Sequence, residues 1–285
     1  MTPTPRPAAR AAAVGLAALA ACGALAGCSP SSPTEPSTPT ATVAAGAPPG
    51  VAAPLALPST APGSAPLVVL VPGGGWRSAD PSGLTGLADA VAAEGATAAL
   101  VSYRTAADGA YFPVPASDIA CGVAQAAAEA TDAGYPPSEM VVLGHSAGAQ
   151  LAAVVALDPE VASSSDCPYP PVAPDRLVGL AGPYDVVLAA DVAVDLFGPD
   201  RPDPSTWAEG NPLLLADRLA DLPVLLLHGS ADSTVPTELT TAFAQALTAG
   251  GHDVTVRVVE GADHQTIYSA AVAGPVVTDW LGLAP

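Results

Sequence analysis

Six short stretches of this 285-residue chain are almost unbrokenly apolar: Leu67–Val71, Ala96–Val101, Met140–Leu143, Leu177–Leu180, Val224–Leu227 and Val254–Val259. Short runs without polar alternation suit strands buried on both faces of a parallel sheet. Between several of them lie alanine-rich or amphipathic stretches long enough for crossover helices, at about residues 82–94, 117–132, 147–157 and 237–249. A last helix is expected near residues 266–281. This rhythm predicts an α/β fold, a mostly parallel, doubly wound sheet with helices on both faces. Residues 184–222, with their Asp, Pro and Trp207, break the rhythm and are expected to form a small cap insertion over the sheet's edge. Residues 51–57 offer only a weak first strand.

The first 65 residues follow a different pattern. Arg6 and Arg10 precede an apolar stretch of small residues, 11–27, which is short for a permanent span and has the flanks of an export signal. It ends in Leu25-Ala26-Gly27-Cys28, which resembles the lipobox of bacterial lipoproteins. The resemblance implies removal of residues 1–27, a lipid on Cys28, and an extracytoplasmic protein anchored to the bacterial cell membrane. Residues 28–65 are rich in Pro, Ser, Thr and Ala, with Glu35 their only charge. Such a composition cannot bury a core and reads as a flexible tether, leaving 66–285 as the folded domain.

Composition narrows the function classes. Half of the residues are hydrophobic but only 4% are aromatic, so the core must be built from Ala, Val and Leu. The formal net charge is −19 and all eight basic residues are arginine. Nucleic acid is therefore excluded as a partner, since phosphate binding needs clustered positive charge. Adhesion to anionic lipid is disfavoured for the same reason, so membrane contact is expected only through the anchor. In an exported protein the even pair Cys121 and Cys167 is expected to form a disulfide. Neither has metal-ligand spacing, and no metal site is expected.

The candidate chemistry starts at Gly144-His145-Ser146-Ala147-Gly148, where a predicted strand runs straight into a predicted helix. A turn that tight brings the positions two before and two after the serine against neighbouring backbone, which favours glycine at both. The serine is held in a strained conformation, and the helix aims its first amides, Ala147 N–H foremost, at negative charge developing there. A serine hydroxyl needs a base, and the base an orienting acid. His264 lies in the loop after the last predicted strand and is the candidate base. His145 is read as a neighbour shaping the pocket, His228 as a structural residue, and His252 as part of a solvated turn. Asp232 follows the strand Val224–Leu227 and is the candidate acid, with Asp263 its rival; adjacent side chains converge poorly, which disfavours Asp263. Strand Leu67–Val71 ends in Pro72-Gly73-Gly74-Gly75-Trp76, whose glycines allow bare amides to face a ligand.

Together these segments resemble an α/β-hydrolase of the esterase/lipase group with an HGGGW-type oxyanion loop, in the neighbourhood of feruloyl-esterase-like and arylformamidase-like enzymes. The resemblance rests on Gly73–Trp76, Val101-Ser102-Tyr103-Arg104, Gly144–Gly148, Gly182-Pro183-Tyr184-Asp185, His228–Asp232 and Ala262–His264. It implies a Ser146–Asp232–His264 triad, oxyanion amides from Gly74 (or its neighbour Gly73) and Ala147, and a bracing pair of Arg104 with Asp118. The expected reaction is hydrolysis of small neutral carboxylic esters through an acyl-enzyme, without cofactor. Two departures stand out: Pro72 replaces the family's histidine, and its N-terminal antiparallel strands are weak or missing. Amide or peptide hydrolysis of the prolyl-oligopeptidase or arylformamidase kind is the alternative within catalysis, and a non-catalytic surface binding protein the alternative outside it.

Overall fold

The computed structural model describes residues 49–160, 166–188, 190–200 and 203–283. The expected export signal, Cys28 and most of the expected tether lie outside these residues. Seven strands form one sheet: β1 (Gly50–Val51), β2 (Ala65–Val71), β3 (Thr97–Ser102), β4 (Pro137–His145), β5 (Arg176–Leu180), β6 (Pro223–Gly229) and β7 (Asp253–Val259). Their spatial order is β1-β3-β2-β4-β5-β6-β7. All neighbours pair in parallel except β1, which runs antiparallel to β3. This is the expected α/β-hydrolase architecture.

Burial on both faces explains the apolar runs. Along β2, Leu67, Val69 and Val71 face one core, while Val68 and Leu70 face the other. The first core packs under α2 (Val114–Asp132), α3 (Ala147–Leu157) and α7 (Thr237–Ala249). The second lies under α1 (Thr85–Ala93) and α8 (Ala273–Leu281). The cap segment contains α4 (Ala190–Phe197), α5 (Pro204–Glu209) and α6 (Pro212–Leu215). Here Phe197 stacks on Trp207 at 4.4 Å, and α6 rests against α3 and α7.

The structure departs from the sequence expectations at both ends of the folded domain. The expected tether gives way before residue 65: the Ala52 amide donates to the Leu100 carbonyl, and Ala56 bridges Ala98 in both directions. An edge strand needs partners on one side only, so this proline-broken segment can close the sheet without a strong strand pattern. The last helix starts at Ala273, not near 266. Asp263 captures the Gln265 and Thr266 amides in a turn, and Pro275, lacking an N–H, is accommodated in the helix's first turn.

Cys121 on α2 is disulfide-bonded to Cys167, with the Cα atoms 5.5 Å apart. One helical turn away Asp118 accepts Arg104 Nε and Nη2 at 2.9 and 2.7 Å and also the Arg104 amide at 2.9 Å. The pair fastens α2 to the segment leaving β3.

Candidate active site

Ser146 stands between β4 and α3 at φ 53° and ψ −125°, a strained backbone for a residue with a side chain. What holds it there is close packing of backbone on backbone. A β-carbon on Gly144 would strike the Gly148 carbonyl, and one on Gly148 would strike the carbonyls of Val71 and Pro72. The Ser146 amide donates to Leu180 O at 2.9 Å, tying the turn to β5. All eleven residues of α3 are buried. Its N-terminal amides, without carbonyl partners four residues back, face the serine's surroundings.

Two loops bring partners to the hydroxyl. His264, after β7, places Nε2 2.9 Å from Ser146 Oγ and Nδ1 2.7 Å from Asp232 Oδ2. Asp232, after β6, is fully buried and accepts the Thr234 and Val235 amides on Oδ1 at 2.8 and 2.9 Å. Burial alone pushes its carboxyl up. The Val235 and Thr234 amides and the His264 imidazole outweigh it, so the group rests below the usual carboxylate range and stays ionised. Asp263 is spent on its own turn: its Oδ1 accepts from Gln265 N, Thr266 N and Thr266 Oγ1.

The other histidines have distinct positions. His228 is fully buried, with Nδ1 2.7 Å from Thr240 Oγ1 and Nε2 2.9 Å from the Val235 carbonyl, and so fastens the Asp232 loop to α7. Burial lowers its pKa. His145 does more than shape the pocket. Its Nε2–H donates to the His264 carbonyl at 2.9 Å, and its ring packs on those of His264 and Tyr268 at 4.8 and 4.4 Å. Burial, then the neighbouring His264, depresses its pKa to about 3, so it is neutral. The variable position of a G-x-S-x-G turn carries no sign of this, since the contact spans 119 residues. His252 is not in a solvated turn: it is buried, because its amide closes onto Leu247 O at the end of α7 and turns the ring inward.

The glycine loop after β2 lies against the serine. A β-carbon on Gly73 would sit 2.9 Å from Ser146 Cβ, so only glycine fits there. Gly74, at φ 137°, turns its carbonyl to accept the Arg77 and Ser78 amides at 3.1 and 3.2 Å. Trp76, also at positive φ, donates Nε1–H to Gln150 Oε1 at 2.9 Å, and Gln150 in turn donates to the Gly210 carbonyl at 2.8 Å. The loop is thus joined to both α3 and the cap.

Two cavities meet at Ser146. One, of about 660 Å³, reaches from Ala147 towards the cap and is walled by Trp76, Pro183, Leu188, Val235 and Leu239, with Arg77 and Asp195 paired at 3.1 Å beside it. The other, of about 380 Å³, is lined by the glycine loop, Asp80, His264, Gln265 and Tyr268. Among the described residues no three His, Cys, Asp or Glu side chains converge as a metal site would require.

Several solved structures share this fold. A truncated carbohydrate esterase from gut microbiota matches at 17% identity over 79% of this chain and 87% of its own, with a TM-score of 0.67. An acetyl ester-xyloside bifunctional hydrolase from Caldicellulosiruptor lactoaceticus matches at 21% identity over 81% and 88%, with a TM-score of 0.66. A propionate-bound thermophilic esterase from the planctomycete Thermogutta terrifontis matches at 20% identity over 80% and 86%, with a TM-score of 0.65. No curated protein matches the chain. The match to a protein family runs over residues 54–247, from the edge of the sheet through the serine turn, the cap and Asp232 to α7, and by that match the chain belongs to the BD-FAE family.

Proposed function

We propose that this protein is a serine hydrolase that cleaves carboxylic esters of small neutral substrates through an acyl-enzyme. The observation that carries the reading is the unbroken line of hydrogen bonds from buried Asp232 through His264 to Ser146, at 2.7 and 2.9 Å. Packing alone has no use for a strained serine at the junction of two cavities. The names of the structural relatives, a carbohydrate esterase and a propionate-bound esterase among them, agree with it.

In the proposed reaction Ser146 Oγ attacks the ester carbonyl carbon as its proton passes to His264 Nε2. Asp232 holds the ring through Nδ1 and balances the imidazolium charge. The Ala147 amide and a glycine-loop amide receive the oxyanion; each such donor is worth on the order of a hundred- to a thousand-fold in rate. Collapse breaks the bond to the alcohol, which takes the proton from His264 and leaves. A water molecule then attacks the acyl carbon, gives its proton to His264, and the acid departs as the proton returns to Ser146. Because His264 protonates the leaving group, the alcohol belongs in the cavity that His264 lines, and the acyl chain in the apolar one beside Ala147.

The test is hydrolysis of p-nitrophenyl acetate and butyrate by the domain from residue 49 onward, beside Ser146→Ala. The expected outcome is turnover that the substitution lowers by about four orders of magnitude or more, with fluorophosphonate labelling of the wild type only. A wild type that neither turns over nor labels would remove the reading. We further propose export as a lipoprotein, with Cys28 acylated and residues 29–48 as tether, on the strength of the Leu25–Cys28 motif. Labelling with a palmitate analogue in cells should be present in the wild type and absent in Cys28→Ser; equal labelling of both would refute it.

A further inference from the structure

The geometry points to Tyr103 as the residue that aims the oxyanion-binding amide of Gly73, by bracing the carbonyl of Pro72 at the start of the glycine loop. This rests on the serine-hydrolase reading above and deepens it.

The Tyr103 hydroxyl, buried at the end of β3, donates to the Pro72 carbonyl at 3.0 Å. Burial also pushes its pKa well above the ordinary phenol range, so it remains a donor at every working pH. The peptide joining Pro72 to Gly73 is planar and trans, so its C=O and N–H point in opposite directions. Holding the carbonyl on Tyr103 therefore fixes the direction of the Gly73 N–H. The same carbonyl abuts Gly148, where a β-carbon could not be accommodated, so the peptide is wedged between α3 and the phenol. Gly73 itself lies against Ser146 and lines the cavity that contains His264. Among the described residues no backbone carbonyl accepts from its N–H.

Gly74 is placed differently. A β-carbon on it would meet Ser78, whereas one on Gly73 would meet Ser146 and His145. Of the two glycines, Gly73 is therefore assigned as the donor. The residues after Tyr103 continue the clamp. The Ala106 amide donates to Trp76 O at 2.9 Å, and Thr105 Oγ1 to Arg77 O at 3.1 Å. Arg104, between Tyr103 and Thr105, is anchored on Asp118. The segment leaving β3 thus holds both ends of the glycine loop, and among the described residues Tyr103 is the one that hydrogen-bonds the Pro72 carbonyl, on the peptide whose other edge faces the reacting carbonyl. Tyr103 is a positioning residue, since it acts through that peptide.

The experiment compares wild type, Tyr103→Phe and Ser146→Ala on p-nitrophenyl butyrate, with active sites counted by fluorophosphonate titration. Tyr103→Phe removes one oxygen and keeps the ring. The expected result is a fall in kcat of about tenfold per titrated site, a fraction of what losing a whole donor costs. KM should change less than twofold, and affinity for a trifluoromethyl ketone, whose adduct with Ser146 carries an oxyanion, should fall in step with kcat. In the wild-type adduct the Gly73 amide proton should move downfield and the Gly74 one should not. Unchanged kcat per site, unchanged ketone affinity, or a downfield shift at Gly74 in place of Gly73 would overturn the assignment. Should Tyr103→Phe give too little folded protein to titrate, Tyr103→Trp, which keeps a buried N–H donor, is the second variant, and kcat per site equal to wild type with the Gly73 shift lost would likewise overturn it. A wild type without Ser146-dependent turnover would overturn both this assignment and the esterase reading.

Discussion

The serine turn and the cap lie on opposite walls of one cavity and are held by different forces. At the turn, backbone meets backbone: Gly144 on Gly148, Gly148 on Val71 and Pro72, with every residue of α3 buried behind them. At the cap, four large apolar side chains, Val187, Leu188, Val194 and Leu214, are exposed. Beneath them Val186, Ala193, Leu196 and Leu215 are buried in the main core, and polar contacts add to the attachment: Gln150 to Gly210 and the Arg77–Asp195 ion pair. Interiors packed at crystal density do not deform to fit a substrate, whereas exposed side chains at a surface can rearrange. In the proposed enzyme the turn therefore fixes the chemistry, and the cap fixes what enters.

That contrast makes three predictions of decreasing size. The largest is at the turn: Gly148→Ala forces a methyl into the carbonyls of Val71 and Pro72 and should cost about 3 kcal/mol. For a domain of this size that is about 6–12 °C in Tm, read by calorimetry. Gly86→Ala in α1 is the control, since its backbone is helical and its β-carbon would meet only Ala270 Cβ at an ordinary 3.8 Å. Equal losses for the two would mean that backbone crowding is not what fixes the turn.

The cap should show a smaller effect, and only in selectivity. Leu188 is 74% exposed and lines the apolar cavity. Leu188→Ala should raise KM for p-nitrophenyl butyrate about threefold, less than a fully enclosed methylene would give, and leave kcat for acetate and Tm unchanged. An unaltered butyrate-to-acetate ratio would place the acyl chain elsewhere.

The smallest effect separates the turn from the cap by pH. His145, at the turn, is depressed from 6.5 to about 3 by burial, so between these values the unfolded chain binds a proton that the folded protein refuses. Its contribution is complete above about pH 6.5 and is lost as pH falls towards 3. His145→Gln keeps an amide donor for the His264 carbonyl without the titration. Between pH 7 and 6 the variant should lose about 0.6 kcal/mol less stability than wild type, seen as a slightly flatter Tm profile. His228 and Asp232 act in the same direction but are present in both proteins. Identical profiles would show that His145 is not held neutral by its surroundings.

Much of the fold was legible in the sequence because the inner parallel strands are buried on both sides, so their apolar runs stand almost without a polar break; β7, at the sheet's edge, is largely exposed and carries Thr255 and Arg257. The helices between the strands were legible to within a few residues: α3 and α7 begin and end as expected, while α2 starts three residues earlier, carrying Pro115 in its first turn. Sites were legible where the sequence marks a strand's C-terminal end, as at Ser146, Asp232 and His264, which the structure brings within hydrogen-bonding distance of one another in series. At the edges the local signals were weak, and residues 51–57 offered only a faint first strand. Residues 50–56 join the sheet through a few backbone bonds, which composition does not encode, and His252 in Gly250–Asp253 has the polar neighbours of a turn yet is buried.

By itself, the sequence determined the alternation of strand and helix, the tight serine turn with its two glycines, and the strand ends from which an acid and a base could approach. These are local properties, set by burial periodicity and by the steric needs of consecutive residues. The tertiary structure alone decided that the Tyr103 hydroxyl meets Pro72 across 31 residues, that His145 holds the His264 backbone across 119, and that two cavities of different character meet at Ser146. Such contacts join side chains to distant backbone atoms, and every peptide offers the same carbonyl, so nothing in the chain marks which one a tyrosine or histidine will reach until the sheet has folded.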